Sequence, residues 1–204
     1  MQDLEIEVKF YLHDLESMRQ RIIDLNAQCH GRFFETNLRF EDSRNSLINN
    51  NALLRLRKDK KTTLTYKSSP PEDDKEFKIF NELEVQVGEF KTMKQILAAL
   101  GFHVAQKYEK WRETFSLGDT HFCLDTMPFG DILEIEGPKK EIRHFSDLLG
   151  LNWNERILLN YLEIFDILKD RLNLPFSDLT FDNFRAVDLD AAQFCPHLQA
   201  GPTE

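Results

Sequence analysis

Charged residues recur two positions apart along this 204-residue chain, with an apolar residue between them. The sets are Glu5-Ile6-Glu7-Val8-Lys9, Arg55-Leu56-Arg57, Glu82-Leu83-Glu84, Lys110-Trp111-Arg112 and Glu134-Ile135-Glu136, with Lys67 and Asp125 in similar surroundings. Carboxylates supply the hard oxygen ligands that Mg2+ and Mn2+ prefer. Arginine forks grip phosphate oxygens in pairs, and lysine adds a point charge. Acids and bases gathered in one cavity would suit a highly anionic ligand together with a divalent metal, and a metal–polyphosphate complex above all. Moving a phosphoryl group needs little beyond alignment and charge neutralisation, so no serine or histidine nucleophile is required.

The spacing itself says what must position these groups. Side chains two apart on a strand share a face. Glu5, Glu7 and Lys9 therefore lie on one side, and Ile6, Val8 and Phe10 on the other. On any single strand such a charged face ordinarily meets water. As a set it resists that reading, because like charges on one strand face repel unless an opposite charge answers them. The arrangement that answers them is a closed sheet with its charges inside and its apolar residues outside, under helices. Dry burial of so many ions would cost several kcal/mol each unless paired, so the bore should be wide and wet.

Along the chain, strands are predicted at about 4–12, 33–41, 52–58, 62–67, 78–88, 102–106, 108–117, 120–127 and 132–137. Asp14 reads as the cap of a helix with Leu15, Met18, Ile22 and Leu25 inward, stopped by Gly31. Thr92 opens a second helix that ends at Gly101. A third covers 141–149, and Asn154 opens a long one to Leu172 whose stripe of Leu158, Leu159, Leu162, Phe165 and Leu168 packs on the sheet. The fold class is α+β. The main domain is 1–172, and 173–204 is an extension expected to be disordered beyond about 185.

Composition narrows the function classes. A net charge of −9 and a sequence pI near 5.2 argue against general binding to nucleic-acid backbone. Cys29, Cys123 and Cys195 are far apart and odd in number, which suits a reducing compartment without a disulfide framework. With no signal peptide or spanning apolar stretch in view, the expected location is cytoplasmic, away from membranes. Neither GxxxxGK[ST] nor GxGxxG occurs. His121, Cys123 and Asp125 share a strand face, but a soft-metal site wants more converging ligands, so His121 and Cys123 read as bystanders on the wall.

At these residues the chain resembles the CYTH superfamily, the triphosphate tunnel metalloenzymes. Glu5-Ile6-Glu7-Val8-Lys9 resembles its ExExK strand. Ala52-Leu53-Leu54-Arg55-Leu56-Arg57, Thr65-Tyr66-Lys67, Glu82-Leu83-Glu84, Lys110-Trp111-Arg112 and Leu124-Asp125 with Phe129-Gly130-Asp131 and Leu133-Glu134-Ile135-Glu136 resemble the later signatures in order. The resemblance covers about residues 4–165. It implies a closed antiparallel eight-stranded β-barrel, a tunnel with a charged interior and helices packed outside. It also implies Mg2+ or Mn2+ on Glu5, Glu7, Asp125, Glu134 and Glu136. Lys9, Arg55, Arg57, Lys67, Lys110 and Arg112 would hold the phosphates. Glu82 and Glu84 would order water or orient the cations, and join Glu5, Glu7 and Lys9 as catalytic residues. Arg39 stands where many members carry an aromatic residue beside Phe40.

The reading is a metal-dependent hydrolase of an inorganic or organic triphosphate. The alternatives are a class IV adenylate cyclase that makes cyclic AMP and pyrophosphate from ATP, and a silent polyphosphate- or nucleotide-binding module. The partner is a small-molecule triphosphate or nucleotide, with a homodimer left open.

Overall fold

The computed structural model describes residues 3–70, 74–189 and 193–202. Eight strands make the frame: β1 (Asp3–Leu12), β2 (Gln28–Glu41), β3 (Ala52–Lys58), β4 (Thr62–Ser68), β5 (Lys78–Val87), β6 (His103–Leu117), β7 (Thr120–Met127) and β8 (Gly130–Glu136). They pair antiparallel in the order β1-β5-β4-β3-β2-β6-β7-β8, and β8 returns to β1 to close the barrel. The helices are α1 (Leu15–Asp24), α2 (Ser46–Asn49), α3 (Phe90–Ala99), α4 (Lys139–Leu148), α5 (Tyr161–Leu172) and α6 (Phe181–Phe184). Among the described residues no helix is long and apolar enough to cross a membrane.

The alternation resolves in the unusual direction, with apolar residues outside and charges within. Val8, Phe10, Phe115, Phe122, Leu124, Leu133 and Ile135 point outward and are buried with Met18 and Ile22 of α1 and Ile142 and Phe145 of α4. Leu38, Phe40 and Leu56 are covered in the same way by Leu97 of α3. Each buried side chain of this kind contributes about 1.5–3 kcal/mol. These outer cores, and not a filled bore, hold the ring together. The cover is incomplete: Leu83 and Val85 on the outer face of β5 are 61% and 56% exposed.

Four local expectations fail for identifiable reasons. Helix α1 ends at Asp24, and Asn26 takes the left-handed turn at φ 61°; Gly31 instead sits in β2 at φ 97°, where the register with β6 slips. Glycine suits that bulge, since a Cβ there would lie 2.9 Å from the Phe33 ring. Helix α3 is capped by Glu89, whose carboxylate accepts from the Thr92 amide. The strands expected at 102–106 and 108–117 are one strand, β6. Gln106 pairs with Arg39 and Val104 with Phe40, so Ala105 bulges and the faces exchange. Val104 therefore packs outside while Gln106 and Tyr108 face in.

The long helix begins at Tyr161, not Asn154. A 3-10 turn occupies Trp153–Glu155, and Ile157 then exchanges two backbone hydrogen bonds with Lys9, of 2.7 and 3.1 Å. Asn160 starts α5 with a full capping box whose other half is Glu163. Leu162, Phe165 and Leu168 of the expected stripe are buried on α5, whereas Leu158 and Leu159 precede the helix and are only partly buried.

The segment beyond 172 lies against the barrel in its described part. Leu179 bonds to the backbone of Lys107 and Glu109, both at 2.9 Å, and Cys195 and Leu198 are buried. Residues 190–192, 203 and 204, which the expected disorder also took in, lie outside the described residues. Arg156 anchors this region. It is fully buried and donates to the carbonyls of Lys75, Glu76, Trp153 and Gly201 at 2.7–3.1 Å. Replacing Arg156 by alanine takes the guanidinium from all four acceptors and leaves Trp153 O only the backbone amide of residue 156, so a loss of about 2–3 kcal/mol is expected. The shift of a urea unfolding midpoint measures it, and a change below about 0.5 kcal/mol would show that water replaces the guanidinium.

Candidate active site

One cavity of about 790 Å3 runs inside the ring, and twelve of the thirteen residues singled out in the sequence line it: Glu5, Glu7, Lys9, Arg55, Arg57, Lys67, Glu82, Glu84, Lys110, Arg112, Glu134 and Glu136. Register explains the convergence, because residues opposite each other on antiparallel strands share a face. Lys9 faces Glu134 and Glu7 faces Glu136 across β1–β8; Lys67 faces Glu82 across β4–β5; Arg112 faces Asp125 across β6–β7. Asp125 is the thirteenth residue. It is fully buried on the same inner face, beneath Arg112, and its oxygens accept from Lys110 at 2.9 Å, from Arg112 at 2.7 Å and from the Tyr161 hydroxyl. Its position is that of an anchor for two cations rather than of a ligand open to the bore.

The cations are ranged through the wall and mostly face acids. Lys9 pairs with Glu7, and with Glu134 at 3.3 Å. Lys67 pairs with Glu5, and with Glu82 at 2.7 Å. Arg112 reaches Glu134 at 2.7 Å, Arg57 lies 3.6 Å from Glu84, and Lys110 lies 3.7 Å from Glu35. Burial alone would discharge these bases, but the surrounding carboxylates hold Lys9, Lys67 and Arg112 above their ordinary values, and Tyr108, ahead of Glu35 and Glu82, does the same for Arg55.

The acids divide into two groups. Burial opposes the ionised form of Glu134 and Glu35, but nearby cations win. Arg112, Lys9 and Lys110 hold Glu134 well below the carboxylate range, and Lys110, Arg112 and Arg57 bring Glu35 down to about 2. At the β1–β8 seam the balance reverses. Burial and then Glu5, Glu134 and Glu7 push Glu136 up to about 7, and burial raises Glu7 despite Lys9. Among the described residues no hydrogen bond or ion pair reaches the Glu136 carboxylate.

That seam is where donor chemistry fits a hard divalent cation, since it has crowded carboxylates and too little positive charge. The described residues hold no gathered set of three or more His, Cys, Asp or Glu side chains. Glu5 and Glu7 instead grip Lys67 and Lys9. His121 is exposed, and Cys123 is buried with its thiol pushed up to about 12 by burial, so neither enters the cation chemistry.

Several site residues escaped the sequence reading. Glu35 and Asn37 face in on β2, in alternation with Arg39, which the sequence had marked only as a departure from the family pattern; the run is present in the sequence but mixed in charge. Arg39 thus lines the bore. Phe80 and Tyr108 line it too, and Arg55 donates to the Tyr108 hydroxyl at 3.4 Å. Tyr161 had no strand signal, because it arrives from the first turn of α5. Its hydroxyl also donates to Glu134 at 3.2 Å, and its ring lies 4.7 Å from Lys110 Nζ and 5.3 Å from Lys9 Nζ.

Comparison with known proteins agrees with this architecture. A Methanocaldococcus jannaschii protein named "Putative adenylate cyclase" is 26% identical over 167 residues, or 81% of this chain and 89% of that one. The structure of the PH1012 protein from Pyrococcus horikoshii is 30% identical, covers 77% of this chain and 96% of that one, and gives a TM-score of 0.65. A Hippeastrum protein, described as a putative adenylyl cyclase with a dominant triphosphatase activity, shares the fold at 16% identity and a TM-score of 0.52, over 72% of this chain and 88% of that one. The CYTH domain matches residues 3–163, and the chain belongs to that family.

Proposed function

We propose that the protein is a metal-dependent triphosphatase that hydrolyses a phosphoanhydride bond inside the barrel. The observation that carries this reading is the meeting, in one cavity, of six cations with a seam of under-neutralised carboxylates. Lys9, Lys67, Lys110 and the forks of Arg55, Arg57 and Arg112 bind the three phosphates and line them up. Asp125 and Tyr161 hold Arg112 and Lys110 in place beforehand, which lowers the cost of ordering them. Glu5, Glu7, Glu134 and Glu136 would hold Mg2+ or Mn2+, and such an ion supplies charge neutralisation at the transferring phosphate. Phosphates that take over Lys9 and Lys67 release Glu7 and Glu5 from their ion pairs. Glu82 and Glu84 then orient Lys67, Arg57 and a water in the bore.

Cyclisation of ATP is the second reading, favoured by the name of the Methanocaldococcus jannaschii relative. It would use the same cations, with the ribose 3′-hydroxyl in place of water and pyrophosphate as leaving group. Incubation with tripolyphosphate, thiamine triphosphate and ATP, each with Mg2+, Mn2+ or EDTA, separates the readings. Metal-dependent orthophosphate supports the hydrolase, and pyrophosphate with cyclic nucleotide supports the cyclase. Tight binding without turnover overturns both and leaves a binding module.

Arg57 tests the phosphate clamp, because its neighbours Glu35, Asp59 and Glu84 lie 3.6–4.0 Å away and none locks it. Arg57→Ala is expected to raise KM by about tenfold, the value of one charged hydrogen-bonded contact. Unchanged KM and kcat would place Arg57 outside the site.

A further inference from the structure

Asn37 sits on the inner face of β2, opposite Arg57 on β3 and opposite Tyr108 on β6. It is 0% exposed, and among the described residues neither its Nδ2 nor its Oδ1 has a hydrogen-bond partner. A buried amide left in this state is a standing cost to the fold. Tyr108 does not relieve it, because its hydroxyl meets Arg55 instead.

Two further buried atoms beside it are unpartnered in the same sense: Glu35 Oε2, two residues back on the same strand face, and Arg57 Nε, across the ladder. Lys110 Nζ lies 3.7 Å from Glu35 Oε2, and Asp59 lies 3.8 Å from Arg57 Nε; both are too far for a hydrogen bond. Along the wall these atoms alternate in kind. Glu35 Oε2 accepts, Asn37 Nδ2 donates, Asn37 Oδ1 accepts and Arg57 Nε donates. Two hydrogen bonds would satisfy all four. Side chains two apart on a strand face, or opposite across a ladder, are close enough for small rotations to make them.

What keeps the set open is the sharing of Arg57 among acids. Its Nη groups lie 3.6 Å from Glu84 and 4.0 Å from Glu35. A polyanion in the bore offers those groups a stronger, two-pronged partner and leaves Nε to the wall.

We propose that Asn37 is a positioning residue for the phosphate clamp. When a polyanion takes the Nη fork of Arg57, the Asn37 amide accepts from Arg57 Nε and donates to Glu35, which fixes the plane of the guanidinium toward the bore. The proposal rests on the phosphate-binding half of the triphosphatase reading and not on turnover.

The test is Asn37→Leu, close in size and without polar atoms, in the full-length protein. Calorimetric titration of tripolyphosphate in EDTA should show binding about tenfold weaker than wild type, the worth of one hydrogen bond to a charged group. The urea midpoint of the unliganded variant should be unchanged or higher, because an orphaned amide is gone. With Mg2+, KM should rise about tenfold while kcat changes less than about twofold. In an Arg57→Ala background Asn37→Leu should add less than about twofold, since no guanidinium is left to align. Asn37→Ala, which empties the site instead of filling it, should show the same affinity loss and the same dependence on Arg57. Lowered stability with unchanged affinity would overturn the proposal and make Asn37 a part of the wall alone. Equal losses with and without Arg57, or a fall in kcat at constant KM, would overturn it as well. Tight binding without turnover in the wild type, with the coupling to Arg57 intact, would sink the triphosphatase and leave the clamp. No binding of tripolyphosphate to the wild type would overturn both.

Discussion

Glu136→Gln should make the metal-free protein more stable at pH 8 and, in the same substitution, lower metal-dependent turnover by on the order of 10²–10³. The two effects have one cause. Glu136 is pushed up to about 7 by burial and by Glu5, Glu134 and Glu7, with Lys67 the cation that opposes them. It stands opposite Glu7 on β1, opposite the exposed His121 on β7, and two residues from Glu134 on its own strand. An ionised carboxylate there repels its neighbours, and glutamine removes the repulsion without changing size. If the same crowding is what draws a divalent ion, the substitution also removes a ligand. A variant with unchanged stability and unchanged activity would sink both halves of the argument.

The pH dependence follows in sign. The folded state of Glu136 binds its proton more tightly than the unfolded chain does, so between pH about 4.5 and 7 the folded protein carries the extra proton. Its contribution to stability is therefore fully present below 4.5 and falls as the pH rises to 7, by about 1–3 kcal/mol. Glu35 runs the other way. Its carboxylate is held at about 2 by Lys110, Arg112 and Arg57, so its contribution is present above 4.5 and lost as the pH falls toward 2. Urea midpoints in EDTA should therefore show wild type gaining less from a rise between pH 5 and 8 than Glu136→Gln does.

The sequence made the barrel legible because inside and outside differ by charge, not merely by polarity. Arg55 and Arg57, or Glu134 and Glu136, announce a face by repetition, and closure is the one arrangement in which those faces answer each other. Where the alternation mixes, legibility stops. Glu35, Asn37 and Arg39 share a face on β2 without repeating a sign, so Glu35 and Asn37 passed as ordinary polar residues and Arg39 stood out only against the family pattern. Ala105 shifts the phase of β6 by one residue, so Val104 and Gln106, although two apart, face opposite ways. Tyr161 carries no periodic signal at all; a backbone bridge between Ile157 and Lys9 delivers α5 to the bore. Asp125 shows a further limit, since spacing placed it on the correct face but could not say that Arg112 would cover it.

Asp125→Ala is expected to be the most destabilising single change in the bore, at about 3–5 kcal/mol, because it leaves two buried cations short of their counter-charge. Among the described residues, the ion pairs left to them within 4.0 Å would be Lys110 with Glu35, at 3.7 Å, and Arg112 with Glu134, at 2.7 Å. The Tyr161 hydroxyl would lose one of its two acceptors, loosening the first turn of α5. Urea unfolding measures the loss, and Asp125→Asn should recover part of it, since the amide oxygen still accepts one hydrogen bond. A polyanion offers Lys110 and Arg112 the charge they have lost. Tripolyphosphate should accordingly raise the melting temperature of Asp125→Ala by more than that of the wild type. An equal rise in both proteins would mean that Asp125 stabilises the wall without tuning the clamp, and would separate the fold of this barrel from its grip on phosphate.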